Sequence, residues 1–129
     1  MSKYTQRTLK YFRDLGYTID VIERWIVIPG LPGKGKRKDY LGFGDLLAFD
    51  DTDTLLVQSC GSAYSEHKKK ILALPGPSDW LMSRNRRLFL IAWRKLLKKK
   101  GGKLKIWVPR VAEFFVVNGE LYCKEIKYD

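Results

Sequence analysis

An aspartate at position 45 opens an apolar stretch, Leu46-Leu47-Ala48-Phe49, and a glutamine at position 58 closes a second one, Leu55-Leu56-Val57. Asp50-Asp51-Thr52-Asp53 between them has the residue types of a tight turn. Paired as an antiparallel hairpin, the two stretches bring Asp45 and Gln58 close together across the ladder. Gln58 and Cys60 are two positions apart and share a face. A carboxylate beside an i, i+2 polar pair can hold a magnesium ion against a phosphodiester. The metal polarises a phosphoryl oxygen and lowers the pKa of bound water, and hard Mg²⁺ takes oxygen ligands. Asp45 offers a carboxylate oxygen, and Gln58 an amide oxygen that brings no charge. Glu23 is a third candidate ligand, because alternation sets it with Val21 and Trp25, where a carboxylate needs a partner. Pairing with a basic neighbour is the competing reading for Glu23. Asp39, before Gly42-Phe43-Gly44, is a further acid, or simply a turn residue. His67, the single histidine, has no nucleophile placed beside it by spacing, and a solvent-facing helix position accounts for it.

The surroundings of these residues are strongly basic. The chain has 129 residues, with 25 Lys and Arg against 14 Asp and Glu, a net charge of +11. That length suits one domain with a single core. The charge attracts polyanions and makes nucleic acid the expected partner. Four clusters carry it: Lys34, Lys36, Arg37 and Lys38; Lys68, Lys69 and Lys70; Arg84, Arg86 and Arg87; and Lys95 with Lys98, Lys99, Lys100, Lys103 and Lys105. No segment joins these cations to a long apolar helical face, and no run is long enough to span a bilayer, so no membrane role is expected. The first residues lack the apolar core of a signal peptide. A soluble, cytoplasmic protein follows as the expectation, in a host cytoplasm if phage-encoded. Cys60 and Cys123 match no zinc spacing and no disulfide framework, so reduced thiols are expected.

Elements must position the chemistry. Residues 5–15 read as a helix carrying Leu9, Phe12 and Leu15 inward and ended by Gly16. Residues 17–28 read as one strand that stops at Pro29, followed by a basic Pro/Gly loop over 29–36. After the hairpin, residues 62–74 suit a helix with Ile71 and Leu72 inward, broken by Pro75-Gly76-Pro77. Ser78 can cap a short helix through about residue 85. Residues 88–97 read as a buried strand, although their length also permits a helix. Gly101-Gly102 turns the chain into a strand over 104–108, and Asn118-Gly119 marks a hairpin between 113–117 and 121–126. Trp80 and Trp93 are expected in the core. The sum is an α/β fold, a sheet with helices packed on it.

This order of elements, with Val21-Ile22-Glu23-Arg24-Trp25, Arg37-Lys38-Asp39-Tyr40-Leu41-Gly42-Phe43-Gly44-Asp45, Val57-Gln58-Ser59-Cys60 and Leu90-Ile91-Ala92-Trp93-Arg94-Lys95, resembles the PD-(D/E)XK nuclease superfamily. The most similar branch is that of Holliday junction resolvase-like and small phage-type nucleases. The resemblance covers residues 5–110 and implies one restriction endonuclease-like domain, with a C-terminal β-hairpin over 112–127 outside it. It implies Mg²⁺ or Mn²⁺ held by Asp45, Gln58 and Glu23, and hydrolysis of DNA phosphodiesters. Cys60 takes the place of a lysine that stabilises transition-state charge. The resemblance implies that a lysine of the next helix replaces it, with Lys70 or Lys69 favoured over Lys68. Arg37, Lys38, Lys68, Lys69, Arg94, Lys98, Lys99, Lys100 and Lys103 would grip the nucleic acid backbone, and a homodimer is a further implication. Gln58 and Cys60 also suit a catalytically inactive descendant that binds nucleic acid or another protein, and RNA is an alternative partner.

Overall fold

The computed structural model describes residues 2–22, 24–27 and 35–126, with side chains left out at 24–27 and 35–37. Helix α1 spans Lys3–Asp14. Ser2 caps it, its hydroxyl accepting from the Thr5 N–H at 3.1 Å. Thr8, Leu9 and Phe12 form its buried stripe. Leu15, expected inward, lies past the last turn and is exposed. Gly16 then takes φ +98°, a left-handed value that costs other residues and stops the helix.

The expected single strand over 17–28 is two strands. β1 (Thr18–Val21) pairs with β4 (Leu46–Phe49), whereas β2 (Arg24–Val27) pairs with β3 (Gly35–Lys38) in a separate ribbon. The change of partner at Ile22 divides the apolar run, and periodicity alone carries no sign of it. Most of the expected basic loop, like Glu23, lies outside the described residues.

The main sheet has the order β1-β4-β5-β6-β7-β8, with β5 (Thr54–Cys60), β6 (Arg86–Leu97), β7 (Lys105–Val117) and β8 (Glu120–Ile126) completing it. All neighbours are antiparallel except β5 and β6. A parallel pair needs a crossover, and α2 (Tyr64–Ala73) and α3 (Gly76–Trp80) supply it. The helix expected to start at Ser78 starts instead at Gly76, with a proline in its first turn, where a missing N–H costs nothing. The strands expected over 104–108 and 113–117 are one continuous strand, β7 (Lys105–Val117), which runs through Pro109. The C-terminal hairpin is therefore part of the main sheet. Its turn, Asn118-Gly119, has φ +52° and +80°, the left-handed pair that two-residue hairpins require.

Two apolar layers hold the sheet. On the α1 face Leu9, Phe12, Ile19, Leu46, Val57, Phe89, Ile91 and Trp93 pack together. On the other face Phe43, Leu56, Cys60, Tyr64, Ile71, Leu88, Leu90 and Phe114 do the same under α2 and α3. Each large apolar side chain so buried contributes about 1.5–3 kcal/mol. Leu72, expected inward, is exposed, because Tyr64 and Ile71 define the inward line of α2. Trp93 is buried as expected, and Trp80 is half-buried, its Nε1 donating to the Arg87 carbonyl at 2.8 Å. Among the described residues, no helix is long and apolar enough to cross a membrane.

Candidate functional site

The β4–β5 register pairs Leu46 with Val57, which sets Asp45 and Gln58 side by side at one end of the hairpin. Alternation points Leu46 and Val57 into the α1 layer, so Asp45 and Gln58 face the α2 layer together with Leu56 and Cys60. Gln58 Nε2 donates to Asp45 Oδ2 at 2.8 Å, and the Ser59 backbone N–H donates to the same oxygen at 3.0 Å. The two side chains are only 9% and 4% exposed. A buried carboxylate needs such donors. The amide of Gln58 is thereby oriented, and its Oε1 is left buried without a hydrogen-bond partner among the described residues.

The backbone around Asp45 is pinned on both sides. Its N–H donates to the Val57 carbonyl at 2.9 Å, and its carbonyl accepts from Ile22 N–H at 2.9 Å. Immediately before it, Leu41 sits at φ +56°, a strained value for a leucine, and Gly44 lies against Leu56. A cleft of about 510 Å³ beside this loop is lined by Ile22, Lys38, Asp39, Tyr40, Leu41 and Gly42. Asp39 and Lys38 thus line the cleft beside the loop that leads into Asp45, while Arg37, on β3, is placed only by its register opposite Trp25.

The far side of β5 carries a second polar network that the sequence pattern did not reveal. Trp93 Nε1 donates to Thr8 Oγ1 at 2.9 Å, Thr8 Oγ1 donates to the Tyr4 carbonyl at 2.9 Å, and the Ser59 hydroxyl lies 2.7 Å from Thr8 Oγ1. Thr8 gives its single proton to Tyr4, so Ser59 is the donor in the last contact. This network ties the residue after Gln58 to α1 and steadies the end of β5. A threonine inside the apolar stripe of α1 is the one sequence signal that pointed to it.

The lysines divide by their places on α2. With about 100° per residue, Lys68 flanks the Tyr64–Ile71 line on one side and Lys70 on the other. Burial raises the Cys123 thiol on β8 and the charge of Lys68 opposes that rise, which sets Lys68 toward β8, three strands from Gln58. Lys69 and Lys70 are exposed, and of the two Lys70 shares the flank of Leu74, whose Cδ1 approaches Gly42. Cys60 itself supplies no positive charge. Burial, and then the charge of Asp45, push its thiol up to about 11, so it is neutral at pH 7. Both cysteines are free.

Arg94 follows Ala92 by two positions on β6 and so shares the face of Gln58. Lys98, Lys99, Lys100 and Lys103 lie in the exposed turn that joins β6 to β7 at the same end of the sheet. Among the described residues, no three His, Cys, Asp or Glu side chains gather as a metal cage. Among the described residues, the oxygen donors at the pair are one carboxylate and one amide oxygen without a hydrogen-bond partner. That set fits an ion such as Mg²⁺, which keeps several waters and takes one or two protein ligands.

Comparison of the chain with protein-family models, with curated proteins and with solved structures yields no match.

Proposed function

We propose that the chain is a DNA-binding protein with a restriction endonuclease-like core, and that its Asp45–Gln58 notch hydrolyses phosphodiester bonds with Mg²⁺ or Mn²⁺. The order helix, antiparallel three-strand meander β1-β4-β5, helical crossover and parallel β6 supports that core. The observation that carries the activity is the meeting of Asp45 and Gln58 across the hairpin, where Gln58 Nε2 donates to the carboxylate and Oε1 is left without a hydrogen-bond partner among the described residues. Asp45 Oδ and Gln58 Oε1 would hold the ion. When bound, the metal supplies charge to the phosphoryl oxygen and acidifies its water. Gln58 Nε2 and the Ser59 N–H donate to the Asp45 carboxylate, and the apolar layer behind it limits access of bulk water. Lys70, on the near flank of α2, would neutralise charge developing on the phosphate. Lys38, Arg37, Arg94 and the Lys98 to Lys103 turn would hold the flanking backbone.

A second reading, a nucleic-acid-binding protein without cleavage, is favoured by the neutral thiol of Cys60 at the position where a charged amine is wanted. Nicking of supercoiled plasmid separates the two. Magnesium-dependent nicking that falls by at least about a hundredfold in Asp45→Asn, with DNA affinity retained, supports hydrolysis. Salt-dependent binding without nicking in either metal supports the second reading.

A further inference from the structure

Among the described residues, β6 is paired with β5 as far as Ala92 and β7 with β8 from Val111 onward. Residues 93–97 and 105–109 pair with each other as a two-stranded ribbon beyond those pairings. Alternation from buried Trp93 puts Lys95, Trp107 and Lys105 on the α1 face of this ribbon. There the N-terminal turns of α1 meet it. Tyr4 packs edge-on against Trp107 with ring centroids 5.7 Å apart.

Three cations converge on the one indole. Arg7 Cζ lies 4.2 Å from the Trp107 ring centroid, Lys3 Nζ 5.0 Å and Lys95 Nζ 5.2 Å. Among the described residues, none of the three forms a salt bridge; Arg7 donates only to the Lys3 carbonyl, and Asp14, which lines the same cleft as Arg7 and Trp107, is taken by Lys10 at 2.7 Å. Like charges this close repel, and the indole faces offset only part of that. The placement is doubly unfavourable for α1. Lys3 opens the helix, and its first turn has no acid to meet the positive end of the helix dipole. A bound anion relieves both conflicts.

We propose that Lys3, Arg7 and Lys95, gathered on Trp107, form a phosphate-binding site that takes a backbone phosphate of nucleic acid at the end of the sheet where the Asp45–Gln58 notch lies. Gly61, just past Cys60, faces Tyr4 at 2.6 Å from where a Cβ would stand, so the cluster and the notch flank the same end of β5. The cluster lies on the α1 face and the notch on the α2 face, so a strand crossing that end can reach both. The proposal rests on the nucleic-acid part of the proposed function and is independent of cleavage.

The test is the salt dependence of binding to fluorescein-labelled single-stranded and duplex DNA, read by anisotropy. It compares the full chain with Arg7→Gln/Lys95→Gln and with the control Arg84→Gln/Lys124→Gln, which removes the same charge elsewhere. The site expects the Arg7/Lys95 pair, which removes one phosphate contact, to lower the slope of log K against log salt by about one, and the control to leave it nearly unchanged. Arg7→Lys, which keeps the charge, should keep the slope and checks that the site survives a change of side chain. Equal losses in the two double variants overturn the site while leaving DNA binding in place. No DNA binding by the full chain overturns the nucleic-acid reading itself. In that case inorganic phosphate is the remaining probe: a rise in melting temperature present in the full chain and lost in Arg7→Gln/Lys95→Gln supports an anion site for free phosphate, and no rise removes the site altogether.

Discussion

Asp45 accepts two hydrogen bonds on one oxygen, while the amide oxygen of its neighbour Gln58 has no partner among the described residues. Gln58→Glu tests what that arrangement is for. Two carboxylates at the distance of the present hydrogen bond repel, so the variant should melt lower than the parent in EDTA at pH 8. Magnesium should then stabilise it more than it stabilises the parent, since an ion that binds only the folded state adds RT ln(1 + [L]/Kd). Equal responses of the two proteins to magnesium would count against a metal at this notch. Cys60 gives a pH signature. Its folded thiol titrates at about 11 against an ordinary 9.0, so the folded state holds the proton more tightly than the unfolded chain. Stability from this group is whole below pH 9 and is lost as the pH climbs from there toward 11. Cys60→Ala should flatten that part of the urea-midpoint profile relative to the parent; an unchanged slope would mean that the thiol is not the titrating group.

The elements around the pair depend on close packing at Gly44. A Cβ there would stand 2.5 Å from Leu56 Cδ1 and 2.7 Å from Leu56 Cγ, and Leu56 is fully buried. Gly44→Ala should therefore cost about 1–3 kcal/mol, read as a lower urea midpoint at constant m. A midpoint within error of the parent would show that the loop before Asp45 is looser than the packing implies. The hairpin itself was legible from residue types, since Leu46 to Phe49 and Leu55 to Cys60 flank a turn of aspartates, and Asp50 Oδ1 accepts from the N–H groups of Thr52 and Asp53. So were α1 and α2, from their apolar spacing and the breaks that end them, and β6, whose continuous apolar run reads as a buried strand although its length also permits a helix. The division of residues 17–28 was not legible, because a change of strand partner leaves no trace in hydropathy. Continuity of β7 through Pro109 was not legible either: proline reads as a break, yet the pairing with β6 continues on both sides of it, with Pro109 opposite Trp93. At the site, the meeting of Asp45 and Gln58 followed from register. The cation cluster on Trp107 did not, because Lys3, Arg7 and Lys95 come together only through the packing of α1 on the ribbon.

Over the whole molecule the chemistry is gathered at one end. Asp45, Gln58, the Leu41 turn, the first turns of α1, Arg94 and the lysine-rich β6–β7 turn all lie where β4 begins and β5 finishes. At the opposite end stands the acidic turn Asp50 to Asp53, where Arg87 is engaged by Asp53 and, bidentately, by Glu113. On the proposed nucleic-acid reading, these cations at the notch end would orient a polyanion toward it, and the net charge of +11 would attract it. Crystals of the full chain soaked in manganese with a short DNA duplex, and measured for anomalous scattering, locate the ion directly. A peak within ligating distance of Asp45 Oδ and Gln58 Oε1, lost in Asp45→Asn, is the expected result. A saturating soak that leaves the notch empty, with Gln58 Nε2 still donating to Asp45, would contradict it.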